Sequence, residues 1–462
     1  MSPRATEPII NEDEHPTLIP SLSQGNVLEL PPDSDKSTAA ADGEHRGCLN
    51  TVFDPIKGVV PSGGMASNVF NLESATLGAG IVMLPSGFLN SGIIIATLML
   101  VYICFTTVYS IRILVITRDK TGFRSYEEMA CGLLGRGADY FTAFLMFVFC
   151  FGTCVGYVIS VGDLLSPLLN QPSTTGFLRT SMGKNVIVGV VWLVAMLPLS
   201  LPKEINSLRY ASAVGVFFIV FFVICMIVHA AMNGLKDGIG SDIRLVGDGW
   251  GILNGFTLFV FAFICQVNCF EVYEEMKGPT PRRMTRDSSV AMSMVGLLYF
   301  LSGIFGYLDF GNDLEGSVLK LYKPQDDVMM AIGYVGIAIK ICGGFAICIQ
   351  PSRDAIYYVL GWGKTSDVDS WKNLVVSGVL ATLALVLGLV LPSIEVVFNF
   401  LGSFCGGFLA FILPALYYMY AGNFSLKEVG WFNYAVTYQL LIVGVFAVVF
   451  GTALTIYDEV KK

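Results

Sequence analysis

The stretch Glu73-Ser74-Ala-Thr76-Leu77-Gly78-Ala79-Gly80-Ile81, with Pro85 just beyond it, lies inside the first of many long apolar runs and decides how the chain is read. Glycine loosens a helix through lost backbone restriction, and proline removes an N–H, so a run long enough to cross a bilayer is interrupted. Within hydrocarbon an unwound backbone persists only where protein or a water-filled cavity satisfies its polar groups. The run therefore predicts a broken transmembrane helix beside a cavity. Close helix packing through small residues is the plain alternative.

Runs of this length recur along the 462 residues, of which 54% are hydrophobic and 14% charged, with a mean hydropathy of +0.66. Soluble domains are nearer 25% charged, and roughly 20 apolar residues cross the hydrocarbon core. The reading is an all-α membrane protein of about eleven transmembrane helices, with spans near 65–90, 92–117, 138–168, 185–202, 208–232, 249–275, 287–308, 329–351, 373–391, 394–420 and 431–456. Residues 1–60 hold ten Asp/Glu against four Lys/Arg, a net of −6 out of −8 for the chain, and are rich in Pro and Ser. Such a segment is expected to be a disordered tail. It has no basic start followed by a short apolar core, so no cleavable signal peptide is expected. Glu14-His-Pro-Thr-Leu18-Ile19 fits an acidic dileucine pattern, which would make a sorting adaptor a partner of the tail. An acidic balance argues against a nucleic-acid partner.

The positive-inside rule orients the spans. With the N-terminus cytosolic, the inner segments hold 18 Lys/Arg and the outer ones eight, with Arg112 and Lys340 inside spans. Residues 457–462 then form a short external C-terminus. No cysteine falls in an expected external loop, so no extracellular disulfide is expected. The sequon at Asn423-Phe-Ser425 faces the cytosol in this orientation.

The sixth span carries Phe261-Ala262-Phe263-Ile264-Cys265-Gln266-Val-Asn268, two amides among aromatics in mid-helix. Amides in lipid need partners or a cavity; interhelical bonding is the simpler alternative. The same stretch, with Tyr273-Glu-Glu-Met276 and Pro281-Arg-Arg-Met284, resembles the sixth helix and following loop of the amino acid/auxin permease family, which includes the sodium-coupled neutral amino acid transporters. Asn71 through Ile81 resembles that family's first helix, Ser125-Tyr126-Glu127 its second loop, and Phe305 through Gly311 the end of its seventh helix. Leu201-Pro-Lys-Glu through Tyr210 and Cys348-Ile-Gln-Pro-Ser-Arg-Asp354 look most like the permeases of trypanosomatid parasites. The resemblance covers roughly residues 60–456.

It implies a LeuT-type fold: transporter domain 61–456, with one five-helix repeat at about 65–232, an inverted second at about 249–420, and an extra helix at 431–456. The first and sixth helices would cross at a midplane site. The expected substrate-binding residues are Thr76, Leu77, Gly78, Ala79 and Gly80, whose amides suit a carboxylate, and Phe261, Ala262, Phe263, Ile264 and Gln266. The break is plain in the first helix and weaker in the sixth, where no Gly or Pro stands.

Lys340 sits mid-span in the eighth helix, where a lysine costs about 2.5–3.5 kcal/mol on insertion scales. Sodium-coupled relatives of this fold use an oxygen ligand on the first helix and hydroxyls on the eighth. Here Ser74 is kept, but Lys340 is followed by Cys342, Gly343, Gly344 and Cys348. Hard cations favour oxygen, so the Lys340 ammonium is expected in the sodium position. Glu73 is its candidate partner, and alternatively a proton-coupling carboxylate or an attractor of a cationic substrate. Asp163, Asp309 and Glu395 near span ends, and Arg112, are read as snorkelling side chains.

No phosphate-binding loop, metal cluster or paired catalytic set is found, so no enzyme, cofactor or metal is expected. A channel is disfavoured because no filter-like segment stands out. The expected function is L-amino acid transport by alternating access, sodium-independent, with a cationic substrate slightly favoured and with proton coupling and facilitated exchange both left open. A neutral substrate, or a sensor on the same fold, is the alternative. The plasma membrane is the expected address, with an intracellular acidic or lysosomal membrane the alternative.

Overall fold

The computed structural model describes residues 63–461 except 172–175, 203–207, 237–239, 241–242, 315, 364, 366–367, 392 and 423. The acidic tail, its sorting pattern at 14–19 and the sequon residue Asn423 lie outside the described residues. Among the described residues, ten helices are long and apolar enough to cross a membrane, and the bent pair Met65–Thr76 and Ala79–Ser91, angled by 50°, brings the count to eleven. The chain is therefore an integral membrane protein.

Span 1 is that bent pair. Spans 2 to 5 are Ile93–Thr121, Ala138–Leu169, Ser181–Ser200 and Val214–Gly234. Spans 6 to 11 are Gly249–Glu275, Pro281–Asp313, Val328–Leu360, Ser370–Val390, Ile394–Tyr420 and Leu426–Lys461. Local chemistry sets several starts. Thr280 accepts from Arg283 N and Pro281 takes the first helical position of span 7, while Asp327 Oδ1 caps span 8 through Met329 N at 2.8 Å, the roles these residues commonly fill. Span 8 runs to Leu360, beyond the expected end at 351. Span 11 starts at a kink, where Gly430 takes φ 78° and separates a short entry turn from the crossing helix; that left-handed backbone favours glycine.

Packing follows a simple rule. Span 1 lies against span 6, span 2 against span 7 and span 3 against span 8. Span 4 meets span 9, where Trp192 Nε1 donates to Ala381 O at 3.1 Å. Helices five crossings apart traverse the bilayer in opposite directions, so these pairs are antiparallel, as the two inverted five-helix repeats require. Span 11 packs outside the pairs, against span 10.

Candidate functional site

Span 1 ceases to be helical after Thr76. Leu77 N still donates to Glu73 O at 2.7 Å, and backbone donation resumes only at Ile81 N to Gly78 O, 3.4 Å. The amides of Gly78, Ala79 and Gly80 thus make no backbone–backbone hydrogen bond. A helix end also leaves carbonyls without partners, and side chains from distant spans meet two of them. Tyr299 Oη donates to Thr76 O at 2.8 Å, and Lys340 Nζ donates to Ser74 O at 3.0 Å.

Span 6 breaks at the same level without glycine or proline. Its helix ends at Ala262, and the next two amides turn back onto Val260 O and Phe261 O at 3.2 and 3.3 Å. Cys265 N is taken by Gln266 Oε1 at 3.1 Å, before the chain re-enters a helix at Cys269–Glu275. Tyr299 Oη also lies 2.9 Å from Ala262 O, so one hydroxyl proton serves a carbonyl from each break. The breaks touch: a Cβ on Gly80 would stand 3.2 Å from that of Ala262.

A cavity of about 400 Å³ opens from this meeting point, a size that holds a small molecule. Span 3 lines it with Met146, Phe149, Cys150, Thr153 and Tyr157, and span 8 with Lys340, Gly344, Ile347, Cys348, Pro351 and Asp354. Both sets follow the three-to-four spacing of a single helix face. The Tyr157 hydroxyl stands over Gly78 and Gly344, where added Cβ atoms would approach it to 2.9 and 2.7 Å. Phe261 is held between Phe149 and Phe398, stacking on the latter at 3.9 Å.

Lys340 is the one cation among the lining residues, and it is 5% exposed. Besides Ser74 O, its Nζ reaches Ser74 Oγ at 3.4 Å. Gly215 leaves room for its stem, since a Cβ there would come within 2.5 Å of Lys340 Cδ. The Ser74 carbonyl belongs to the last turn of a helix, the negative end of its dipole, which compensates a buried ammonium. The ion pair weighed between Lys340 and Glu73 is not formed. Consecutive residues on a helix point about 100° apart, so the face that offers Ser74 turns Glu73 away; Glu73 is 7% exposed and its Oε1 has no hydrogen-bond partner.

The two ends of the cavity differ. Towards the start of span 1 it opens between Asn71, Glu271, Glu275 and Asp354, a mouth that carries carboxylates. Asn71 Nδ2 donates to Glu275 Oε2 at 3.1 Å there. At the other end the turn Val318–Lys320 packs on the turn Ala79–Met83, and two buried carboxylates with basic partners pin the surroundings. Lys320 Nζ lies 3.5 Å from Asp163, and His229 Nδ1 lies 2.7 Å from Asp309. Both carboxylates are almost fully buried. This corrects the snorkelling expected of Asp163 and Asp309, whose partners come from segments remote in sequence. Glu395, half-buried, accepts from Asn90 Nδ2 at 3.1 Å.

Of the expected binding residues, Thr76, Gly78, Ala79, Gly80, Phe261, Ala262 and Ile264 line the cavity, as do Ser74 and Lys340. Leu77, Phe263 and Gln266 do not: Leu77 is fully buried, Phe263 packs edge-on against Tyr299 at 5.2 Å, and Gln266 closes the turn. Reading the sequence missed Tyr157, Tyr299, Phe149, Glu271 and Gln350. A polar residue next to Pro351 in an apolar run was the available signal for Gln350. The tyrosines stand in spans apolar on every side and offered none.

Two discontinuous helices that meet over a cavity, in a bundle whose spans pair antiparallel five apart, form the arrangement that many membrane transporters share. Residues 61–457 match the model of a family described as transmembrane amino acid transporter protein. The chain belongs to that family, whose members are carriers and not enzymes. It is also similar to vacuolar amino acid transporter 5 of Schizosaccharomyces pombe, 28% identical over 371 residues that cover 78% of this chain and 85% of the relative.

Proposed function

We propose that the chain moves L-amino acids by alternating access, with the zwitterion held between the two breaks. The observation that carries this is the run of amides at Gly78, Ala79 and Gly80, without backbone partners at the head of a cavity. Amides at the start of a helical segment suit a carboxylate, and the Tyr157 hydroxyl beside them adds a donor. Leftover carbonyls suit the ammonium. With the N-terminus cytosolic, the open mouth faces the cytosol and the closed end faces outward, an inward-open state.

Transport is sodium-independent in this reading, because an ammonium already bonds the oxygens of Ser74. Glu73, buried and without an ion-pair partner at Lys340, is the carboxyl assigned to proton coupling. The carboxylates at the mouth concentrate cations, which favours a basic substrate over an acidic one. For the address, the relative's vacuolar name supports an internal acidic membrane, and fluorescent tagging of the full chain decides between that and the plasma membrane.

The test is an uptake screen in proteoliposomes over the common amino acids, at two pH values, with and without sodium. Uptake that persists without sodium and changes with the pH gradient is expected. Strict dependence on sodium overturns the role given to Lys340, and binding without flux would make the protein a sensor.

A further inference from the structure

The closed end of the cavity holds two paired carboxylates that the transport reading does not use. Asp163 in span 3 meets Lys320 from the segment between spans 7 and 8, and Asp309 in span 7 meets His229 in span 5. Each pair joins one of the first five spans to a part of the chain beyond span 6. Alternating access gates one half of such a bundle against the other, so bonds between the halves at the closed end are placed to hold it shut.

The His229 pair sits where three elements converge. Tyr322, buried, sets its ring edge-on against His229 at 5.0 Å and against Phe310 at 4.9 Å. Tyr334 Oη donates to Leu319 O at 2.6 Å and fixes the same segment, whose turn Val318–Lys320 packs on the first break. Spans 5 and 7 close up beside it: a Cβ on Gly234 would come within 2.5 Å of Asp309 Cα. Asp309 is 2% exposed and His229 26%, so protons reach the ring while the carboxylate stays out of water.

Among the described residues, the titratable groups around the imidazole are Asp309 from span 7, Tyr322 from the covering segment, Asp327 before span 8 and Cys225 one turn back on span 5. Of these types, histidine alone ordinarily changes charge between pH 5 and 8. An imidazolium gives the buried carboxylate its countercharge and a charge-assisted bond, whereas a neutral ring gives a weaker one. Resting on the alternating-access reading, we propose that His229 and Asp309 form a proton-operated latch, made when the outer end is shut and parted when it opens. Protonation of His229 favours closure, and closure weakens as the outer pH rises through the histidine range. Facing an acidic compartment, the carrier then rests open to the cytosol, the state seen here.

The test follows Cys225, which is buried, near Tyr322, and bonded to Met329 O at 3.6 Å, so that displacing the cover exposes it. Labelling by N-ethylmaleimide is measured on purified full-length protein in detergent at pH 5.5, 6.5 and 7.5, with each rate divided by that of the unfolded protein at the same pH. The proteins are the wild type, His229→Gln and Asp309→Asn, and Cys405, fully buried in span 10, reports intact packing. Wild-type protection of Cys225 is expected to fall about fivefold or more from pH 5.5 to 7.5, with Cys405 unchanged. Both variants should lose that slope and be weakly protected throughout. No slope in the wild type, or an unchanged slope in the variants, overturns the latch. Where a variant also exposes Cys405 its packing has failed, and the wild-type slope decides: present at Cys225 alone it upholds the latch, absent it overturns it. No uptake of any amino acid in the screen above removes the transport reading and leaves the labelling result standing.

Discussion

Spans 1 and 6 break at the same depth by different means. In span 1 the interruption is written locally: Gly78 and Gly80 leave no side chain between the backbone and Tyr157 or Ala262. In span 6 no residue at 262–268 is a helix breaker, and the turn is held by Gln266 capturing Cys265 N and by Tyr299 reaching in from span 7. A break encoded by glycine survives changes in its surroundings, while one encoded by tertiary bonds depends on them. Span 1 is thus the fixed element of the site, and span 6 the one whose geometry other helices set.

Filling the glycine break should have the largest effect. Gly78→Val drives a branched side chain into the Tyr157 hydroxyl and the space beside the amides that lack backbone partners, and is expected to reduce uptake about a hundredfold or more, a loss of roughly 2.8 kcal/mol or more at 1.4 kcal/mol per tenfold. Surface expression and thermal unfolding should change less than transport, which separates damage to the site from damage to the fold.

Removing the cation comes next. Lys340→Ala leaves Ser74 O and Oγ without their donor, and uptake in proteoliposomes should fall about tenfold. Wild-type uptake should be equal in sodium and in choline buffers. Sodium-stimulated uptake in the wild type would contradict the place given to the ammonium.

The shared tyrosine sharpens the comparison. Tyr299→Phe keeps the ring against Phe263 but strips one hydroxyl from two buried carbonyls, a cost of about 1–3 kcal/mol, seen as a lower melting temperature in detergent. Faster labelling of the buried Cys265 by a thiol reagent should accompany it, because span 6 has lost its anchor. Protection at Cys265 equal to that of the wild type would mean that the second break stands without Tyr299.

Gln266→Leu should be the mildest of the set. It removes one acceptor from Cys265 N and costs on the order of 1 kcal/mol, with a small drop in melting temperature and a KM within a few-fold of the wild type.

The same contrast explains what the sequence disclosed. Apolar length set the spans, and Gly78 and Gly80 set the first break, because both are local properties. The apolar run of span 8 gives out near Pro351, whereas the helix continues to Leu360 with Arg353 buried against Ser377. Asp163 and Asp309 were read by their place near helix ends, while their partners Lys320 and His229 arrive through folding. The cavity-facing stripes of spans 3 and 8 were hidden because those helices are apolar on all sides, so no periodicity separates the wall from the lipid-facing and packed faces. Lys340 was legible as a charge that needed an answer; that Ser74, and not Glu73, answers it follows from the rotation of one helix face.

Equilibrium binding of a radiolabelled amino acid, one found to be transported, to purified wild-type protein and to Gly78→Val in detergent without sodium is the most direct trial of the site. Saturable binding by the wild type, and at least tenfold weaker binding by a folded Gly78→Val protein, is the predicted result. Equal affinity in the two proteins would contradict a substrate held by the open backbone of span 1.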